Sequence, residues 1–248
     1  ILKDAVDVVY IDDLIAARKH LVKTLATRYR DIWRSLTEKL SSDAPYEFNA
    51  EESGRRQLQG LSLWYWLKAG DQAAFDFAAE LYASATNQTD RSNALRAVLA
   101  GDAEALQQSL LSDFYEHWQS DTQMVEQWLT MQAGTPGMTV TGIETLMQHP
   151  AFDIKNPNKV RSVIVGFAMN TESFHDARGE GYALLAKVVQ QLNALNPQLA
   201  ARLVTLLSDW KRYDADRGKM MASALETILA TESLSSNVFE MAQRALKD

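Results

Sequence analysis

The stretch Gly181–Trp210, GYALLAKVVQQLNALNPQLAARLVTLLSDW, decides the fold class. On both sides of its Asn196-Pro197 step, apolar residues recur three and four apart, the spacing that lines one face of an α-helix. Asn-Pro is an entry signal. The asparagine side chain caps free N–H groups, and proline loses no hydrogen bond at the first helical position. Two helices with almost no loop between them fold back as antiparallel neighbours.

The same punctuation extends outward along the chain. From Asp12 to Leu40, the residues Leu14, Leu21, Leu25, Tyr29, Ile32, Leu36 and Leu40 mark one helical face. SSDAPYEFN breaks that pattern. Asn49 then caps a new helix, with Glu52 placed as the reciprocal half of a capping box. LSLWYWLKA ends at Gly70, Asp71 opens DQAAFDFAAELYASA, and GTPGM, residues 134–138, is the clearest breaker. No segment alternates with period two long enough to be a strand. The expectation is all-α: about a dozen short helices forming an irregular superhelix of antiparallel hairpins, an armadillo- or HEAT-like α-solenoid. A compact orthogonal bundle is the alternative. Residues 1–248 are read as a single helical domain.

With 248 residues, 46% of them hydrophobic and 23% charged, the chain can bury a sizeable core. A net charge of -7 without a dense Lys/Arg block argues against a nucleic-acid partner. Cysteine is absent, which excludes disulfides, thiolate metal sites and cysteine nucleophiles and fits a reducing, cytoplasmic compartment. No apolar run reaches the ~20 residues of a membrane helix. ILKDAVDVVYIDD has no initiator Met and no basic leader, and reads as a chain entered midway, a piece of something larger.

Signals for chemistry are sparse. His20, His117, His149 and His175 show no H-E-x-x-H or comparable spacing, and are read as surface or loop residues. There is no G-x-S-x-G elbow. RGEGY, residues 178–182, lacks the third glycine and the lysine of a phosphate loop, and reads as a tight turn. Asp214 and Asp216 in DADR read as helix capping, LWYWL as core, and Met220 and Met221 as core filler or a mobile contact. Two arginines stand out. Arg161 lies in the first turns of a nearly uncharged helix, NPNKVRSVIVGFAMN, where a cation opposes the helix dipole by ~0.3–1 kcal/mol. Arg202 is the only charge from Pro197 to Ser208. It stacks with Gln198, Thr205 and Asp209 as a polar stripe. On spacing alone, both also fit an ion-pair donor and a solvated face.

HPAFD, NPNKVRSVIVGFAMN, FH and GEGYALLAKVVQQLNALNPQLAARLVTLLSDWKRYDADR, in this order, resemble the end of the bacterial aminopeptidase N family of zinc alanyl aminopeptidases. ALRAVLAG and FYEHWQSDTQMVEQWLTMQA resemble it too, so the likeness covers essentially the whole chain. It implies the C-terminal helical domain of a four-part enzyme. The zinc motif, its third ligand and the loop for the substrate amine would lie in the catalytic domain. No residue of this chain is then expected to be catalytic or to bind metal, and the chain alone should be inactive. The resemblance implies that this domain closes a chamber over the zinc site and restricts entry to peptides and unfolded ends. Arg161 and Arg202 match cavity-facing arginines that would hold peptide carbonyls or the terminal carboxylate. The implied partners are the catalytic domain of the same polypeptide and peptide substrates, with neither nucleic acid nor membrane. The competing reading is a free-standing helical scaffold that binds a protein or peptide in its concave groove. A helical bundle with its own metal lacks the ligand spacing.

Overall fold

Side-chain caps set many of the helix boundaries in the computed structural model, which describes residues 5–247. Asn49, Asp71, Asn87, Asp121, Thr139, Asn156, Asn196 and Asp214 each accept a backbone N–H of the first turn through the side chain. Among the described residues every regular element is helical, joined by turns and loops. The extended pairing among these residues is an isolated parallel bridge between Val9 and Tyr213, with no strand around it. Residues 1–4 of the opening stretch ILKDAVDVVYIDD lie outside the described residues.

The helices are α1 Ile11–Arg28, α2 Arg30–Lys39, α3 Ala50–Lys68, α4 Gln72–Ser84, α5 Gln88–Leu99 and α6 Glu104–Trp118, then α7 Thr122–Ala133 and α8 Val140–Gln148. Next come α9 Pro157–Val160, a π turn Arg161–Val165, α10 Gly166–Met169 and α11 Thr171–Phe174. The last are α12 Glu180–Leu195, α13 Pro197–Val204, α14 Ala215–Leu229 and α15 Ser236–Lys247, with 3₁₀ turns at Thr205–Leu207 and Trp210–Arg212.

Two compact units divide the chain: Ala16–Trp118, and Gln119 onward together with the residues up to Ile15. In Ala16–Trp118, α2 packs on α3, α3 on α4 and α5, α4 on α5, and α5 on α6. Contacts between elements one and two apart are what stacked hairpins produce. LWYWL is mostly core, as its ring coverage predicted. Leu63, Trp66 and Leu67 are buried, Tyr65 stacks on Trp33 at 4.6 Å, and Trp66 meets Phe77 at 5.8 Å. Gly60 lets α3 meet α5, since a Cβ there would lie 2.8 Å from the Asn93 side chain.

In the other unit, α12 is the centre. Nine of its residues are buried, and it packs on α13 and α14, which both meet α15. The π turn and α10 pack on α7. Gly166 allows the close approach: a Cβ would lie 3.3 Å from that of Ala133.

Two local readings need correction. The helix expected over Asp12–Leu40 is broken at Tyr29, whose ψ of 24° leaves the helical region, and the Trp33 indole reaches back across the break to the Leu25 carbonyl at 3.0 Å. Its expected apolar face is largely uncovered, with Leu21 and Ile32 more than half exposed. Glu52 does not complete a capping box: its carboxylate holds Arg55 at 2.9 Å and the buried Arg56 at 3.3 Å.

Candidate functional site

Arg161 and Arg202 both lie in the Gln119–Asp248 part of the chain, and both are exposed on helices that bury one face. Asn156 caps the helix that carries Arg161 by accepting from the Asn158 and Lys159 amides, and Pro157 fills the first helical position. The helix is not uniform, as the sequence suggested. It widens into a π turn that begins at Arg161, and the Gly166 amide bonds back to the Arg161 carbonyl. π turns of this kind are frequent at functional sites. Val160, Val163, Ile164, Gly166 and Phe167 are buried, while Arg161 faces outward with its Nη1 donating to Asn158 Oδ1 at 3.1 Å. The guanidinium keeps further donors, since an arginine carries five N–H groups.

Arg202 sits on α13, capped by Asn196 and opened by Pro197. The polar stripe holds: Gln198, Arg202, Thr205 and Asp209 are exposed, while Leu199, Ala200, Leu203, Val204 and Leu207 are buried. Thr205 Oγ1 donates to the Arg202 carbonyl at 2.7 Å, closing the turn into the 3₁₀ segment. The arrangement offers two outward guanidinium groups on rigid elements. Chemically it can bind carboxylates and carbonyls through charge-assisted hydrogen bonds.

The other motifs have structural uses. In RGEGY, Gly179 adopts φ +68°, and a Cβ on Gly181 would lie 2.4 Å from the Phe174 carbonyl oxygen, so the stretch is a tight turn packed on α11. Arg178 is held by Asp176 at 2.8 Å and Glu180 at 3.4 Å, and its guanidinium keeps the Asp176 carboxyl below the usual carboxylate range. A small cleft of about 160 Å³ opens beside it, lined in part by Met138, Thr139, Glu172 and Asp176. Met221 is fully buried, and Met220 lies where a Cβ on Gly179 would strike it.

His175 is not a surface histidine. It is 8% exposed, stacks on Tyr213 at 4.8 Å, and meets Tyr182 Oη through Nδ1 at 2.8 Å and Tyr213 Oη through Nε2 at 3.3 Å. Burial pushes the Tyr182 phenol well above its ordinary value. The buried Arg217 completes this cluster by donating to the His175 carbonyl at 2.8 Å and to Asp12 at 2.7 Å. Sequence reading saw the cap in DADR, which Asp214 does provide to the Arg217 amide, but missed the arginine. The available signal was its register: Arg217 heads a row with Met221, Leu225 and Ile228, all buried. His149 is partly covered by Trp128 at 5.0 Å, and burial lowers its pKa. Among the described residues, no group of three or more His, Cys, Asp or Glu side chains is placed to hold a metal ion. Among the same residues, no helix is long and apolar enough to cross a membrane.

Comparison with known proteins agrees with this helical architecture. Residues 1–247 match a family described as a domain of unknown function, DUF3458_C, with ARM repeats. The chain is 34% identical over 95% of its length to aminopeptidase N of Haemophilus influenzae, and 31% identical over 99% to that of Escherichia coli. It spans only 27% and 28% of those two proteins. The crystal structure of Legionella pneumophila aminopeptidase A in complex with aspartic acid superposes with a TM-score of 0.90 at 28% identity, over 99% of this chain and 30% of that one. The chain therefore belongs to the DUF3458_C family of ARM-repeat domains, an all-α solenoid found as the C-terminal domain of aminopeptidase N.

Proposed function

We propose that this chain is the substrate-gating, chamber-forming part of a zinc aminopeptidase that removes N-terminal residues from peptides. Hydrolysis belongs to the catalytic domain of the same polypeptide, which would supply the zinc ion and its activated water. The helical domain supplies the far wall and excludes folded substrates. Arg161 and Arg202 hold the distal part of the peptide by its carbonyls or its terminal carboxylate.

One observation carries this reading. In a chain whose relatives are aminopeptidases, two helices that bury Val160, Val163 and Ile164 on one and Leu199, Leu203 and Val204 on the other each turn a guanidinium outward. Such cations gain little from the fold itself, which supports a ligand as their use. The Legionella neighbour is itself described in complex with an amino acid, a ligand that ends in a carboxylate.

The test compares hydrolysis of an alanine anilide by this chain and by the full-length polypeptide. Activity only in the full-length protein is expected, and turnover by this chain alone would overturn the assignment of chemistry elsewhere. In the full-length protein, Arg161→Ala and Arg202→Ala should each lower kcat/KM for long free-acid peptides by roughly ten-fold, the loss of one charge-assisted hydrogen bond in a wet site. The anilide should change by less than about two-fold. Equal losses on both substrates would remove the peptide clamp.

A further inference from the structure

The π turn changes which residues share a face with Arg161. At 3.6 residues per turn, eight residues of plain α-helix would place Met169 about 80° around the axis from Arg161. A π turn adds one residue to one turn, which brings the offset down to about 20°. Val165, midway, falls beside the same line. The observed exposure follows this register. Arg161 is exposed, Val165 half-buried and Met169 77% exposed, while Val163, Ile164 and Phe167 face the core. The face is held firmly at both ends. Asn158 holds the Arg161 guanidinium, and just past Met169 the Asn170 side chain donates to the Thr135 carbonyl at 2.8 Å. In between, Gly166 is packed against α7.

We propose that Val165 and Met169 form an apolar track in line with Arg161, which selects peptides carrying an apolar side chain about three residues before their free carboxylate. The inference rests on the peptide-clamp reading of Arg161 and adds a specificity to it. Arg161 and Met169 lie about 12 Å apart along the axis at 1.5 Å per residue. An extended peptide covers that distance in three to four residues. A cation at one end and a polarizable thioether at the other suit a chain end that is anionic at its terminus and apolar just before it. A methionine adapts to several apolar side chains, so the track would favour a class of residue over one residue type.

The experiment uses the full-length polypeptide and alanyl octapeptides that differ only at the third residue before the last, leucine against asparagine, each as free acid and as C-terminal amide. In the unaltered protein, the leucine peptide should be favoured in kcat/KM by about five-fold as the free acid. Met169→Ser should bring that ratio to within about two of unity, and Met169→Leu should keep it. Because the ratio is taken within one variant, a general loss of folding or activity cancels. An unchanged ratio in Met169→Ser, or no leucine preference in the unaltered protein, would overturn the track. The clamp has its own readout, since Arg161→Ala should abolish the preference for acid over amide. If the unaltered protein shows no such preference, Arg161 does not hold the terminal carboxylate, whatever the leucine ratio does.

Discussion

Arg217 and Asp12, 205 residues apart in sequence, form an ion pair of 2.7 Å between α14 and the first turn of α1. The two ends of this pair differ in their surroundings. The Arg217 side chain is 8% exposed and the Asp12 side chain 71% exposed. Arg217 also donates to the buried His175 carbonyl and contacts Asp214 at 3.4 Å, so its removal strands several acceptors at once. Arg217→Ala is expected to destabilise the protein by about 3 kcal/mol, within the range for deleting one member of a buried network. Asp12→Asn should cost less than about 1 kcal/mol, as an exposed partner does. Urea unfolding of both variants checks this asymmetry. Similar losses would mean that the ion pair itself, and not the buried end, carries the stabilisation.

Asp71 gives a prediction with a definite sign. The Trp66 indole donates to its Oδ2 at 2.9 Å, and the Ala73 amide donates to Oδ1 at 3.1 Å. The indole bond, with help from that amide and the nearby Arg30 and Arg34, holds the carboxyl below its usual range. A depressed folded-state pKa adds stability that is present above the unfolded value, about 3.9, and is lost as pH falls through the lower folded value. Asp71→Asn retains a good cap but cannot ionise. The stability difference between the unaltered protein and Asp71→Asn should therefore be largest at neutral pH and shrink toward pH 3. A difference that stays constant over that range would show that charge at Asp71 contributes nothing.

What could be read from sequence was local. Asn156, Asn196, Asp71 and Asn49 were legible as caps because an N-cap bonds two or three residues ahead, and that spacing is visible in the chain. The buried α12 was legible because its apolar residues keep the helical period. What failed depends on partners far along the chain. Tyr29 looked like one more position on a helical face, yet the chain breaks there and Trp33 spans the break. His175 looked like a loop residue because Tyr182, Tyr213 and Arg217, which enclose it, come from three later elements. The π turn at Arg161 has no sequence marker, since Val160, Val163, Ile164 and Phe167 also satisfy an unbroken α-helix. The exposure of Arg202 was legible, because it is the one charge from Pro197 to Ser208 and sits on a polar stripe; for Arg161, with Lys159 two residues before it, spacing left an ion pair and a solvated face both open.

The glycines of α3 and α12 supply a matched pair of substitutions with opposite signs. Gly54 lies inside α3, with nothing within 4 Å of where a Cβ would stand. Alanine there restricts the unfolded chain and favours the helix, so Gly54→Ala should stabilise by about 0.5–1 kcal/mol. Gly181 opens α12 against α11, where a Cβ would meet the Phe174 backbone at 2.4 Å. Backbone cannot swing aside as a side chain can, so α11 and the His175 that follows it must shift. Overpacking of this kind costs about 1–3 kcal/mol. Gly181→Ala should therefore lower the urea midpoint while Gly54→Ala raises it. It should also perturb the near-ultraviolet signal of Tyr182 and Tyr213, which pack on His175. A neutral Gly181→Ala would mean that α11 gives way without cost and that this turn does not fix the buried histidine.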